Sequence, residues 1–226
     1  MLLMKFGVVI FPGSNCDRDM ILMLKEDLHQ EVITLWHQDR NINDLAPGDC
    51  IILPGGFSFG DYLRCGAIAR FSPMMQKVIE FANNGGKVLG VCNGFQILCE
   101  SGLLPGVLLP NNKKRFICKN VYIKEATGEG GLPLKIPIAH GEGRYYAKEK
   151  TVEELELHRQ IIYRYCDEKG HYSEENNPNG ATHHIAGICN KDRNVIGMMP
   201  HPERACSDVM GNQDGLKVFN HLFGIN

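Results

Sequence analysis

An excess of charge of one sign and long apolar runs are both lacking in this chain, and each absence excludes something. Lys and Arg total 24 against 26 Asp and Glu, a net charge of −2, so the basic footprint expected of a protein that grips nucleic acid or an anionic membrane is missing. No apolar run approaches the roughly 20 residues that cross a bilayer as a helix. The stretch from Met1 to Ile10 lacks the basic, apolar and small-residue order of a signal peptide. The nine cysteines are an odd number without C-x-x-C spacing, which argues against a disulfide framework and for reduced thiols in a cytoplasmic protein. The G-x-x-x-x-G-K-[ST] phosphate loop is absent too, so no ATP site is expected by motif.

What remains is the composition of a globular enzyme: 226 residues, 43% hydrophobic, 22% charged, 25 glycines. Against roughly 150 residues per domain this allows one large or two small domains. With no repeat, low-complexity tract or linker, a single domain over residues 1–226 is expected.

Short apolar runs at Lys5 to Phe11, Glu31 to Trp36, Cys50 to Leu53 and Lys87 to Val91 alternate with stretches of helical period, the signature of a parallel sheet with crossover helices. Pro12 to Asn15 reads as a turn and a cap, after which Met20, Ile21, Leu24 and Leu28 form one apolar stripe, an ordinary core face. From Arg115 the texture changes. Arg115 to Lys124, Lys135 to Ala139, Gln160 to Tyr165 and His184 to Cys189 look like strands joined by turns such as Asn179-Gly180. Thr151 with Glu154 suggests a capping box opening a short charged helix through Leu157. The fold class expected is α/β: a doubly wound, mostly parallel sheet with flanking helices and an antiparallel extension in the second half.

Three segments carry chemistry. Gly90-Val91-Cys92-Asn93-Gly94 follows an apolar strand and opens a helix with Phe95, Leu98 and Cys99 as its expected inward side. Glycines two residues on either side of a cysteine make this a nucleophile elbow, at the carboxyl end of a strand, where open α/β sheets bind ligands. A helix N-terminus also favours a thiolate over a thiol. The bland alternative, a structural cysteine at a strand end, suits the other eight thiols better.

Met199-Pro200-His201-Pro202-Glu203-Arg204 follows a strand expected over Asn194 to Met198. Proline holds its predecessor extended, and extended residues two apart share a side, so His201 and Glu203 should be neighbours. A carboxylate on one imidazole nitrogen sets the tautomer and leaves the other to serve a nucleophile. Third, Leu53 to Asp61 brings paired glycines to a strand end. A backbone N–H of these glycines, with that of Asn93, could face a developing oxyanion. His183, His184 and Cys189 lack a closed four-ligand spacing, so no metal site is expected.

Taken in this order, the P-G-G loop, the G-x-C-x-G elbow and the H-P-E segment resemble the class I, or triad-type, glutamine amidotransferases. Phe11 to Asp17, Gly55 to Arg64, Gly90 to Leu98, Ile138 to Tyr145, Asn177 to Gly180 and Gly197 to Arg204 extend the resemblance along nearly the whole chain. Within that family they point to the glutaminase subunits of phosphoribosylformylglycinamidine synthases. The resemblance implies Cys92 as nucleophile, His201 as general base and acid, and Glu203 as its orienting carboxylate. It further implies Gly56 and Asn93 as backbone oxyanion donors, and Gln96 with His140, Gly141, Glu142 and Gly143 as glutamine-binding residues. It implies no cofactor in this chain. ATP and magnesium would sit on a synthetase partner that receives the ammonia, with a small accessory subunit completing the complex. Ala181 to His184 departs from the family's commonest form, where a serine and less histidine are usual. Three other readings stay open: an amidotransferase of another pathway, an elbow-type cysteine peptidase and a catalytically dead binding subunit. Asn93 stands where such peptidases usually place their histidine, and a dead subunit would be expected to have lost a triad residue.

Overall fold

The computed structural model describes residues 4–126 and 131–225, so the first three residues of the opening stretch lie outside them. The chain forms two compact units, Met1–Leu104 with Asp192–Gly197, and Pro105–Lys191 with Met198–Asn226.

The first unit is a parallel α/β sheet. Its strands are β1 (Lys5–Ile10), β2 (Glu31–Trp36), β3 (Cys50–Leu53), β4 (Lys87–Val91) and most of β11 (Val195–Met198), in the order β2-β1-β3-β4-β11. β1 pairs in parallel with β2 and β3, and β3 with β4. Position in the sheet explains the sequence pattern. The inner strand β3 is buried throughout, β1 and β4 nearly so, and the edge strand β2 is mostly exposed or half-buried. Inner parallel strands covered on both faces read as continuous apolar runs. Helix α1 (Asp17–Leu22) follows β1, α2 (Pro73–Asn83) precedes β4, and α3 (Asn93–Glu100) follows it.

Several local expectations need correction. The first strand ends at Ile10 rather than Phe11. Neither Ser14 nor Asn15 caps α1: its N-cap is Cys16, without a side-chain cap bond, because Ser14 Oγ accepts instead from the N–H of Phe11. The apolar stripe also outruns α1, continuing through a π-helical turn, Met23–Asp27. Met20, Leu24 and Leu28 are buried as expected, joined by Met23, whereas Ile21 is half-buried. The helix that is capped is α2, where Ser72 accepts from the Met75 N–H and Pro73 takes the first position.

The second unit carries β5 (Val107–Leu109), β6 (Ile117–Glu125), β7 (Leu134–His140), β8 (Arg144–Tyr146), β9 (Ile161–Cys166) and β10 (Ile185–Cys189). Four of these run in the order β10-β9-β6-β7, with β6 antiparallel to both β7 and β9 and β9 antiparallel to β10. β5 and β8 form a small antiparallel pair. Burial alternates strictly at β7, as it does in a strand with one covered face. α4 (Glu149–Leu157) starts two residues before Thr151, at an N-cap of Lys148 without a side-chain bond. The expected capping box is therefore not formed, because Thr151 already lies inside the first turn. α5 (Asp214–Phe223) closes the chain. No helix among the described residues is long and apolar enough to cross a membrane.

Candidate active site

Cys92 sits between β4 and α3 with φ 51° and ψ −103°. For a residue with a side chain this is a sparsely populated conformation, costing on the order of 1–3 kcal/mol. Packing around it enforces the turn. A Cβ on Gly94 would overlap the carbonyl oxygen of Leu53 on β3, and one on Gly90 would lie 2.6 Å from the Gly94 carbonyl. Without side chains at these positions, strand and helix close around the cysteine and hold it in the elbow. Cys92 is 5% exposed, and every residue from Asn93 to Leu98 is buried. The expected inward side of α3 is thus too narrow: Ile97 and Gln96 are inside as well, and Cys99 is half-buried.

Asn93 is the first residue of α3, so its backbone N–H lacks an acceptor within the helix. Its side chain, by contrast, is fully engaged. Oδ1 accepts from the Ser58 N–H at 3.2 Å, while Nδ2 donates to Gln96 Oε1 at 2.9 Å and to Asp61 Oδ1 at 3.3 Å. Gln96 therefore lies one turn beyond the nucleophile, buried, with its amide oxygen on Asn93. Gly56 has φ 134° and bridges to Ser14 on the preceding loop, a backbone geometry that glycine supplies.

In the second unit, His201 Nδ1 lies 2.7 Å from Glu203 Oε1, and both residues are buried. The pairing is as expected, but its cause differs. His201 is extended, with φ −100° and ψ 85°, whereas Pro202–Arg204 forms a 3₁₀ turn, so the turn and not continued extension brings Glu203 back to the imidazole. A carboxylate only accepts, which puts the ring proton on Nδ1 and makes Nε2 the basic nitrogen. The His201 N–H donates to the Pro137 carbonyl on β7 at 2.8 Å, anchoring the segment.

His140, at the end of β7, is buried, with Nδ1 3.1 Å from Asn111 Oδ1. The same oxygen accepts from the Gly143 N–H at 3.0 Å, while Asn111 Nδ2 donates to the carbonyls of His140 and Arg115. Burial first, and then the neighbouring His201, lower the His140 pKa to about 4. Its imidazole is neutral at pH 7, with the proton on Nδ1 facing the Asn111 oxygen. Asn179 Nδ2 donates to the Gly143 carbonyl at 2.7 Å. Two buried asparagines thus hold the His140 to Gly143 turn, within which Gly141 and Glu142 are half-buried. Nothing in the sequence signals Asn111 as a site residue, and Asn179 is marked only as part of a turn and of a segment of family resemblance. The dipeptides Asn111-Asn112 and Asn179-Gly180 mark turns, and nothing local says that their amides reach a distant segment. His183 and His184 lie in a 3₁₀ turn, facing Glu149 and Glu174 respectively at 3.9 Å, and Cys189 is buried in β10.

Residues 4–218 match the CobB/CobQ-like glutamine amidotransferase domain. The chain is 51% identical over 224 residues to phosphoribosylformylglycinamidine synthase subunit PurQ of Acaryochloris marina, covering 96% of this chain and 94% of that one. It is 53% identical over 223 residues to the subunit of the same name from Moorella thermoacetica, covering 95% and 93%. Among solved structures, a chain of PurLQS from Thermotoga maritima superposes with a TM-score of 0.83 at 38% identity, covering 99% of both chains. A match this long, with half of the aligned positions identical in full-length relatives, means that the chain belongs to the CobB/CobQ-like glutamine amidotransferase family.

Proposed function

We propose that the chain is the glutaminase subunit of a phosphoribosylformylglycinamidine synthase, hydrolysing glutamine to glutamate and passing the ammonia to an ATP-dependent synthetase subunit in de novo purine biosynthesis. The observation that carries this reading is near-full-length identity to relatives bearing that name, in a chain whose one G-x-C-x-G segment is folded as a strained elbow. An amidotransferase of another pathway would share the elbow and the H-P-E pair. It would not share half of its residues with these relatives from end to end.

In this reading the two units act as one glutaminase domain. The Cys92 thiolate attacks the side-chain amide carbon of glutamine, forming a C–S bond. The N–H groups of Gly56 and Asn93 take the developing oxyanion, the largest electrostatic contribution in acyl transfer of this kind. His201 Nε2 takes the Cys92 thiol proton as the thiolate forms and, with Nδ1–H held by Glu203, delivers that proton to the leaving nitrogen as the C–N bond breaks, releasing ammonia. It then takes a proton from water, which attacks the thioester, and the C–S bond breaks to give glutamate. Gln96 and the His140, Gly141, Glu142 and Gly143 turn bind the glutamine itself. The chain needs no cofactor or metal of its own for these steps. ATP and magnesium belong to the synthetase, a small accessory subunit completes the complex, and the nine thiols are those of a cytoplasmic protein.

Reaction with 6-diazo-5-oxonorleucine tests this assignment, because the analogue must bind as glutamine before it alkylates. Among the other thiols, desolvation holds Cys50 and Cys99 well above the ordinary range and raises Cys166 to about 11, so these are poor nucleophiles. Peptide mapping of the chain labelled with its synthetase present should find the adduct on Cys92. An adduct on another cysteine, or none, would end the assignment.

A further inference from the structure

The loop that begins at Gly56 is held in a conformation its sequence does not favour. Phe59, Gly60, Asp61 and Leu63 all have positive φ, from 52° to 71°, and the side chains of Phe59 and Leu63 disfavour the left-handed region. Such a run persists only where the surroundings over-determine it. On one side the restraint is the loop after β1. Phe57 N–H donates to the Gly13 carbonyl, and Phe59 N–H to that of Pro12 at 2.6 Å, while the Phe59 ring meets His37 edge-on at 5.3 Å and Phe11 at 6.3 Å. On the elbow side a restraint comes from the amide of Asn93, which takes the Ser58 N–H on its oxygen and reaches Asp61 with its nitrogen. Ser58 Oγ is buried and makes no hydrogen bond among the described residues, so the serine side chain adds no second tie.

We infer that the Asn93 side chain is a positioning group that latches the Gly56 to Asp61 loop to the nucleophile elbow and so sets the register between the two oxyanion donors, Gly56 and Asn93. The inference rests on the glutaminase reading above and deepens it. Asn93 contributes twice, its backbone N–H facing the oxyanion and its amide fixing the loop that carries the other donor. The geometry is suited to the task. The amide presents an acceptor to Ser58, two residues beyond Gly56, and donors to Asp61 and to Gln96. The nucleophile's neighbour, the opposite oxyanion loop and the adjoining helical turn thus share one planar group. Rotation of that amide would break all three bonds together.

Because a misplaced oxyanion donor weakens the transition state and not the bound substrate, the signature is a fall in kcat at unchanged KM. The test uses Asn93→Ala, Asn93→Asp and the double variant Asn93→Asp with Asp61→Asn, each assayed for glutamine hydrolysis with the synthetase present and mapped for labelling by 6-diazo-5-oxonorleucine. Asn93→Asp keeps the acceptor for Ser58 but sets two carboxylates against each other, and the double variant restores a donor and acceptor pair in reverse. Both single variants should lose at least about tenfold in kcat, with KM within about twofold, and still label at Cys92. The double variant should regain most of the loss relative to Asn93→Asp, which a general packing defect would not allow. Unchanged kcat in the single variants, a rise in KM instead, or no recovery in the double variant would each overturn the latch. Labelling away from Cys92 in the unsubstituted chain would overturn the glutaminase reading instead, so the two failures are separable.

Discussion

At Cys92 the backbone is as informative as the thiol. A φ of 51° with ψ −103° is a conformation that a structural cysteine has no reason to hold, and it presents the sulfur at the first turn of α3. In the second unit, His201 and Glu203 form a buried pair 2.7 Å apart. Residue substitutions should therefore differ in kind. Under the proposed mechanism Cys92→Ala removes the nucleophilic sulfur and should abolish glutamine-dependent turnover. Glu203→Gln keeps the shape but loosens control of the His201 tautomer, and should lower kcat by about 10² to 10⁴-fold without abolishing it, by analogy with the carboxylate of a serine triad. With ammonia supplied directly, the synthetase reaction should proceed at the same rate with either variant. Steady-state assays with the two nitrogen sources check this, and full glutamine-dependent rates in Cys92→Ala would remove Cys92 from the mechanism.

The elbow as an element depends on contacts between backbones. Gly94 lies against the Leu53 carbonyl so closely that a Cβ cannot be accommodated by rotating a side chain. Gly94→Ala should then push α3 off β3 and β4, destabilising the fold by about 3 kcal/mol, at the upper end for overpacking, and lowering glutaminase activity. Gly48→Ala is the control. It is exposed, with open space around its Cβ position, so it should be neutral or stabilise by up to about 1 kcal/mol through the unfolded chain. Urea unfolding of the two variants reads the difference directly, and equal midpoints would show that α3 and β3 can part without cost.

For the molecule as a whole, the buried histidines set the acid limb of stability. In the fold His140 is neutral down to about pH 4, chiefly because burial penalises its charged form, whereas unfolded it would titrate near 6.5. Between those values the unfolded state binds the extra proton. Its contribution to stability is therefore complete above about pH 6.5 and is lost as the pH falls toward 4, with a slope approaching 1.4 kcal/mol per pH unit. His37, also lowered by burial, adds in the same direction. Unfolding free energies from urea titrations at pH 7, 6 and 5 should fall less steeply for His140→Gln, whose amide can still donate to Asn111. An identical slope would mean that His140 takes up its proton as readily in the fold as in the unfolded chain.

The sequence by itself determined whatever depends on neighbours along the chain. Continuous apolar runs mark the inner strands β1, β3 and β4, alternation marks β7, glycines two residues either side of Cys92 make the elbow, and a two-residue spacing pairs His201 with Glu203. Even there the reason differed once, since a 3₁₀ turn and not an extended strand makes that pair. Caps were less legible, because Ser14 and Thr151 have capping side chains but the chain places α1 and α4 where those side chains cannot serve. Only the tertiary structure decided the polar restraints that aim the site. Asn93 reaches Ser58 and Asp61, Asn111 reaches His140 and Gly143, and Asn179 reaches Gly143, across separations of 29 to 36 residues. An asparagine that bonds over such a distance leaves no periodic trace in the sequence, because its partners here are backbone groups, one carboxylate and one imidazole that lie in other segments, and only the folded chain selects which ones meet.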